Sequence, residues 1–187
     1  MVLRVTTLDD LFGAALMVPD AIDAETAAAV RGRYEDRYRR YALVDRGSYE
    51  FVDDADEPDL VALMLRAAER ATGRTLAVAS QRMLRLLPGS YLLAHHDRIS
   101  EGNPVEVTLD LSRASVPDAD LHYRRSGQVF FRLPCVPGAL AIVERGVTIT
   151  CNHCYVSKLH VAVSVVRFVI LLRDSDTAMH TTRSAQT

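Results

Sequence analysis

Three consecutive residues, His95-His96-Asp97, give the strongest chemical signal in this chain. They end a hydrophobic run with the character of a β-strand, in which alternate side chains share a face, so we expect His95 and Asp97 on the same side. An imidazole and a carboxylate spaced in this way can hold one metal ion. A histidine from a distant strand would complete a two-histidine, one-carboxylate triad, which leaves open coordination positions on Fe(II).

The composition predicts one domain with its own hydrophobic core. The chain has 187 residues, of which 49% are hydrophobic and 25% charged, so it can bury a core without disulfides. The formal net charge of −2 gives no sign of a nucleic-acid or membrane surface. Three cysteines without a framework pattern favour a reducing cytoplasm. We expect no signal peptide, and the apolar stretch 159–172 is too short to span a bilayer.

Hydrophobic periodicity divides the chain into a helical front and a β-rich back. Residues 20–43 predict one or two helices capped by Asp23, and residues 59–72 predict another that ends at Gly73. Turn-forming residues then separate short β-prone runs, which suggests a jelly roll or small barrel. The predicted strands are 82–87, 90–97, 105–111, 120–124, 128–133, 139–144, 147–156 and 159–172.

The predicted organisation is a single domain over residues 1–187, mainly β with N-terminal helices (α+β). It comprises a helical region at 1–78, a β core at 79–173 and a disordered tail at 174–187. The helices are expected to pack as a buttress against the sheet.

Four segments occur in an informative order: 88–97 with the His-His-Asp motif, 105–111, the Pro-Gly strand at 137–143, and the arginine-led strand at 167–172. Together they resemble the core of the 2-oxoglutarate/Fe(II)-dependent dioxygenases. The resemblance covers residues 80 to 173. It implies a double-stranded β-helix (jelly-roll) core buttressed by helices, with Fe(II) and 2-oxoglutarate as cofactor and co-substrate.

The resemblance implies a role for each candidate residue. His95 and Asp97 would be iron ligands, and Arg167 would bind the distal carboxylate of 2-oxoglutarate. Arginine suits that task because its planar fork can bond a carboxylate bidentately and stays charged when buried. A structural arginine paired with an acid is the alternative for Arg167. Tyr91, on the predicted inward face, could hydrogen-bond the co-substrate or simply fill the core.

The third iron ligand is open between two histidines. His153 precedes Arg167 by fourteen residues and lies at the spacing usual in the family, whereas His160 precedes it by seven. The spacing favours His153, with His160 as the alternative, and a triad without either histidine would be incomplete.

Other clusters carry weaker signals. Cys151 and Cys154, with Cys135, could bind zinc, but on a strand Cys151 and Cys154 would point to opposite faces. Thiol redox chemistry is less favoured still, since no helix follows the Cys-x-x-Cys motif. His96 should face away from His95 and is expected to be a packed or surface histidine, whereas His122 and His180 show no partner pattern.

The resemblance therefore implies an oxygenase that uses O₂ and 2-oxoglutarate to hydroxylate a C–H bond of a small metabolite or amino-acid derivative, releasing succinate and CO₂. Asp97 in the carboxylate position favours hydroxylation over halogenation. The alternative is a cupin-like barrel that binds a metal or small ligand without 2-oxoglutarate chemistry. The sequence contains no code for the substrate, the oligomeric state or the role of Lys158.

Overall fold

A computed structural model of the chain describes residues 15–95, 105–145, 149–159 and 162–175. Within these ranges the chain forms two helices and eleven strands. The helices are α1 (Ala24–Tyr34) and α2 (Pro58–Thr72). The strands are β1 (Ala15–Val18), β2 (Arg39–Leu43), β3 (Gly47–Asp53), β4 (Leu76–Leu86), β5 (Tyr91–His95), β6 (Val105–Asp110), β7 (Leu121–Arg125), β8 (Gln128–Leu133), β9 (Leu140–Glu144), β10 (Ile149–His153) and β11 (Val165–Asp174).

Both helices begin and end at residues that suit their positions. The Asp23 carboxylate caps α1 by accepting a hydrogen bond from the backbone N–H of Thr26 at 2.7 Å. Pro58 opens α2, and Gly73 ends it in the left-handed conformation, with φ of 67°. The predicted cap at Asp23 and the predicted stop at Gly73 are therefore confirmed.

The strands form one antiparallel sheet that curls back on itself. Its order is β1-β9-β6-β11-β4-β3-β5-β10-β7-β8, with β2 paired to β3. The curl brings distant strands face to face, since the Tyr123 hydroxyl on β7 donates to the Glu106 carboxylate on β6 at 2.6 Å. The result is the expected double-stranded β-helix, mainly β, with two helices packed on its outside.

Strand β6 has one face in the main hydrophobic cluster and the other inside the curled sheet. Its odd-numbered residues, including Val107 and Leu109, pack with Met64 of α2 in the main hydrophobic cluster. Its even-numbered residues are Glu106, Thr108 and Asp110, all at most 3% exposed, and they face the inside of the curled sheet. The alternation of the strand thus puts the main hydrophobic cluster on one side and the buried polar residues on the other, where they lie beside a second apolar cluster that includes Val143 and Cys151.

The prediction of one or two helices over residues 20–43 holds only for the first part of that segment, and the described part of the predicted helical region 1–78 also contains strands. Helix α1 ends at Tyr34, β2 and β3 form a hairpin, and β1 pairs with the edge of β9. Tyr41 lies directly opposite Tyr49, with ring centroids 4.9 Å apart, a cross-strand aromatic pair typical of β structure. The hairpin extends the main sheet through β4 and β5, and local propensity does not encode that pairing.

The predicted strands of the back half are present with shifted ends. β4 begins at Leu76 rather than at residue 82, and β11 begins at Val165 rather than at residue 159. Residues 176–187 of the predicted disordered tail lie outside the described residues. Neither described helix is long and apolar enough to cross a membrane.

Gly138→Ala is expected to destabilise the protein by about 1–3 kcal/mol. Gly138 has φ of 78°, and a Cβ at this position would lie 2.6 Å from the backbone carbonyl oxygen of Ile22. Urea unfolding followed by circular dichroism measures the loss. Gly32→Ala in α1 is the control, because its added Cβ would meet nothing within 4 Å beyond its chain neighbours and the backbone of its own helix, and it should stabilise the protein by about 0.5–1 kcal/mol. Equal stability of the Gly138→Ala variant and the wild type would contradict this account.

Candidate functional site

The candidate site starts where β5 ends, at His95. β5 pairs with β10, and an extra residue in β5 sets Cys151 opposite His95 and His153 opposite Leu92. His95 and His153 therefore lie on neighbouring strands, two positions apart along β10. Outside the described residues lie the side chain of His95 and all of His96, Asp97, His160 and His180.

His153 contacts Arg167 inside the barrel. The Arg167 Nη1 lies 2.7 Å from Nδ1 of His153, and the two residues are 0% and 4% exposed. A guanidinium always donates, so Nδ1 must accept, and a neutral ring then carries its proton on Nε2. A metal can bind Nε2 only if that proton moves to Nδ1 and Arg167 finds another acceptor. The two predicted site residues are thus brought together and depend on each other.

A carboxylate neutralises Arg167. Asp110 Oδ2 lies 3.9 Å from Arg167 Nε, and Arg167 Nη2 donates to the Ala119 carbonyl oxygen at 2.8 Å. Asp110 Oδ1 accepts from the backbone N–H of Ser112 at 2.8 Å. Among the described atoms, Arg167 Nε and Asp110 Oδ2 have no hydrogen-bond partner. Arg167 therefore pairs with an acid and still has an unused donor.

A second buried charge pair lies further along the interior row of β6. Arg145 is 2% exposed, and its Nη1 donates to Glu106 Oε2. Tyr123 donates to Glu106 Oε1 at 2.6 Å, and the Thr108 hydroxyl lies 3.5 Å from the Tyr123 oxygen. We call Glu106, Tyr123 and Arg145 the Glu106 cluster. Burial, and then the Glu106 charge, raise the pKa of Tyr123 well above its usual range, so Tyr123 stays a neutral donor.

The sequence analysis did not predict Asp110 as the partner of Arg167, and it did not predict the Glu106 cluster. The available signal was the segment 105–110, in which polar residues alternate with apolar ones. That pattern predicts a strand with one polar face, but an antiparallel strand ordinarily turns such a face to solvent. Only the curl of the sheet makes this polar face an interior one.

Tyr91 is not brought together with Arg167. Its neighbour Leu92 is buried, and the Tyr91 hydroxyl donates to the Val44 carbonyl oxygen at 3.0 Å in an exposed contact. The predicted inward face of β5 is displaced because the bulge shifts the alternation. Lys158 is exposed and lies over Gly89, where an added Cβ would meet its Cε at 2.9 Å.

The cysteines do not gather as a zinc site would require. Within the described ranges, no three His, Cys, Asp or Glu side chains form a group that could hold a metal. Burial raises the pKa of the Cys135 and Cys154 thiols, which disfavours reactive thiolates. Cys154 contacts His122, 3.5 Å from Sγ to Nδ1. The candidate iron triad extends beyond the described residues, so this absence does not bear on it.

A cleft of about 680 Å³ opens on the outer surface beside α1. Arg31, Arg85 and Arg113 contribute to its lining. Of the predicted site residues that the structure describes, Tyr91, His153 and Arg167 do not line this cleft, and His153 and Arg167 meet inside the barrel, where we place the candidate chemistry.

The curled sheet, with polar residues inside and helices outside, defines the double-stranded β-helix class. Solved structures share this fold. An oxidoreductase of the 2OG-Fe(II) oxygenase family from Burkholderia pseudomallei has a TM-score of 0.70 at 14% identity, covering 89% of this chain and 87% of that one. A Pseudomonas putida prolyl-4-hydroxylase has a TM-score of 0.67 at 15% identity, covering 90% and 97%. The α-ketoglutarate-dependent epimerase SnoN of nogalamycin biosynthesis has 0.66 at 15%, covering 86% and 78%.

No family model matches the sequence, and no curated protein sequence matches it either. At identities this low, structural likeness establishes the fold alone. The fold expected from the four sequence segments is therefore confirmed, and the chemistry has to be argued from the site.

Tyr123→Phe is expected to lower the free energy of unfolding by about 1.5–3 kcal/mol, because it leaves a buried carboxylate oxygen of Glu106 without its donor. Tyr91→Phe makes the same chemical change at an exposed hydrogen bond and should stay within about 0.5 kcal/mol of the wild type. Urea denaturation measures both variants. Equal losses would mean that the Glu106 cluster does not need the hydroxyl.

Proposed function

We propose that this protein is an Fe(II)- and 2-oxoglutarate-dependent oxygenase that hydroxylates a C–H bond of a small molecule. One observation supports the proposal most strongly: inside a double-stranded β-helix, the buried Arg167 contacts His153. His153 lies on β10, the strand that pairs with the strand of His95. The solved neighbours include a hydroxylase and an epimerase, so the fold accommodates more than one reaction. Asp97 in the carboxylate position supports hydroxylation.

The donor atoms fit a ferrous ion. His95, Asp97 and His153 would supply two neutral imidazoles and a carboxylate, the set that suits Fe(II) and leaves coordination positions open. His160 is the alternative third ligand. His153 is 4% exposed, which would shield the site from bulk water.

The surroundings of Arg167 fit a carboxylate. Its guanidinium is fully buried, and its Nε has no hydrogen-bond partner among the described residues. Binding the distal carboxylate of 2-oxoglutarate would draw Nη1 away from His153. The proton of His153 could then move to Nδ1, and the Nε2 lone pair would become available to the metal. Arg167 and His153 would thereby make metal binding and 2-oxoglutarate binding mutually favourable.

Bound iron and 2-oxoglutarate would supply an oxidant derived from O₂, with 2-oxoglutarate ending as succinate and CO₂. The residues of the barrel would bind, orient and shield. Arg167 would fix the co-substrate, and Asp110 would keep the guanidinium compensated when the site is empty. The apolar faces of the strands would keep bulk water out.

His95→Ala and Asp97→Ala should each abolish iron retention while the thermal melt changes little, because metal ligands contribute little to the apolar core. Metal analysis of the purified variants, alongside melts, measures this. His122→Ala is the control: this histidine contacts Cys154 and should not affect iron. Full iron occupancy in Asp97→Ala would remove Asp97 from the site.

For the third ligand, His153→Ala should lose iron and His160→Ala should keep it, and the opposite result would transfer the role to His160.

Arg167→Ala should weaken 2-oxoglutarate binding by about 2–5 kcal/mol, roughly thirtyfold to several thousandfold, while iron still binds. Arg167→Lys should restore only part of the affinity, because the fork is lost. Anaerobic isothermal titration of the metal-loaded protein measures the affinity. Arg173→Ala, an exposed arginine of the same strand, is the matched control and should bind normally. If Arg167→Ala binds 2-oxoglutarate as the wild type does, the cupin-like alternative gains support.

A further inference from the structure

Arg145 presents an unused bidentate edge inside the protein. Its Nη1 is bonded to Glu106, but its Nε and Nη2 have no hydrogen-bond partner among the described residues, although the side chain is 2% exposed. Buried donors are ordinarily satisfied, and a guanidinium cannot lose its proton to escape the penalty. Nε and Nη2 are the two nitrogens along one edge of the planar guanidinium group.

The same edge binds carboxylates elsewhere in this structure. Arg33 donates from Nε to Glu57 Oε1 at 2.9 Å and from Nη2 to Glu57 Oε2 at 2.5 Å. Arg74 makes the same pair of bonds to Asp174. In two other arginines of this structure the Nε and Nη2 edge therefore binds a carboxylate. In Arg145 none of the described residues supplies one.

Pairing across the strands places Arg145 at the His95 end of the barrel. Cys151 is paired with His95 on one side and with Tyr123 on the other, and Tyr123 shares Glu106 with Arg145. Arg167 belongs to the other end of the interior row, because its partner Asp110 lies four residues from Glu106, roughly 13 Å along β6. Arg145 and Arg167 thus lie at opposite ends of the interior face of β6, so each can bind a different carboxylate.

We propose that the Nε and Nη2 edge of Arg145 binds the carboxylate of the organic substrate, which makes the substrate a carboxylic acid. This inference rests on the proposed function and names the substrate class. Two carboxylates on one guanidinium leave one negative charge in excess, and the metal beside His95 would compensate it. Substrate binding should therefore be stronger in the metal-loaded protein.

Acetate, with acetamide as its neutral analogue, probes the edge directly. The full chain is loaded with Zn²⁺ and saturated with 2-oxoglutarate, so that no turnover occurs and Arg167 is occupied. The arginine Nε–Hε signals are followed by NMR, and the Arg145 signal is identified by its loss in Arg145→Lys. We expect acetate to shift this signal saturably, acetamide to leave it unchanged, and removal of Zn²⁺ to weaken acetate binding.

Variants distinguish acetate binding at Arg145 from a general effect of positive charge on the protein. Arg145→Gln combined with Glu106→Gln keeps the buried pair neutral and should bind acetate about tenfold more weakly or worse. Glu106→Gln alone should bind acetate at least as tightly as the wild type, because the competing charge is gone. Arg125→Gln removes an exposed charge at the same end of β7 and should have no effect.

Three results would overturn the proposal: no shift of the Arg145 signal with acetate, an equal shift with acetamide, or unchanged acetate binding in the double variant. The proposal would also be overturned if the double variant lost 2-oxoglutarate binding while Arg167→Ala bound it normally. Arg145 would then bind the co-substrate and not the organic substrate. Failure of the wild type to bind 2-oxoglutarate would instead count against the proposed function. The acetate titration, repeated with Zn²⁺ alone, would still decide the role of Arg145.

Discussion

The burial of charge on the inner face of β6 is the constraint on which the rest of this structure depends. Glu106 and Asp110 are almost completely buried, and each is close to one arginine from a neighbouring strand: Arg167 lies opposite Asp110 on β11, and Arg145 directly follows β9. An ionised carboxylate removed from water without a partner is prohibitively expensive. β9 and β11 must therefore stay paired with β6 on either side, and the apolar side of β6 packs against the helices.

The two pairs differ in what they leave unused. Arg167 divides its donors between His153 and a backbone carbonyl, and keeps only Nε without a bond among the described residues. Arg145 keeps a complete bidentate edge. A barrel built only for stability would do better with apolar residues of similar volume in these places. Unused buried donors are better explained by ligands that complete them, and carboxylates are the anions that match their geometry.

The contact between His153 and Arg167 couples the two predicted functions of the site. While the guanidinium donates to Nδ1, the imidazole keeps its proton on the nitrogen that a metal would need. A carboxylate that takes over the guanidinium would release that constraint. Coupling of this kind needs no movement of the strands, since it requires only a rearranged hydrogen bond and a shift of one proton.

The sequence by itself determined the strands of the back half, the helix caps at Asp23 and Gly73, and the fold class, because these depend on local periodicity and on residues close together in the chain. It also singled out His153 and Arg167. It could not give the hairpin of β2 and β3, the bulge that turns Tyr91 outward, or the acids that pair with the arginines. Glu106 and Arg145 are 39 residues apart, and they come into contact because β6 and β9 pair with Glu106 opposite Val143, two residues before Arg145. Alternation along β6 predicted a polar face, but whether that face meets water or a buried arginine is decided by tertiary structure, since burial is a property of the whole barrel.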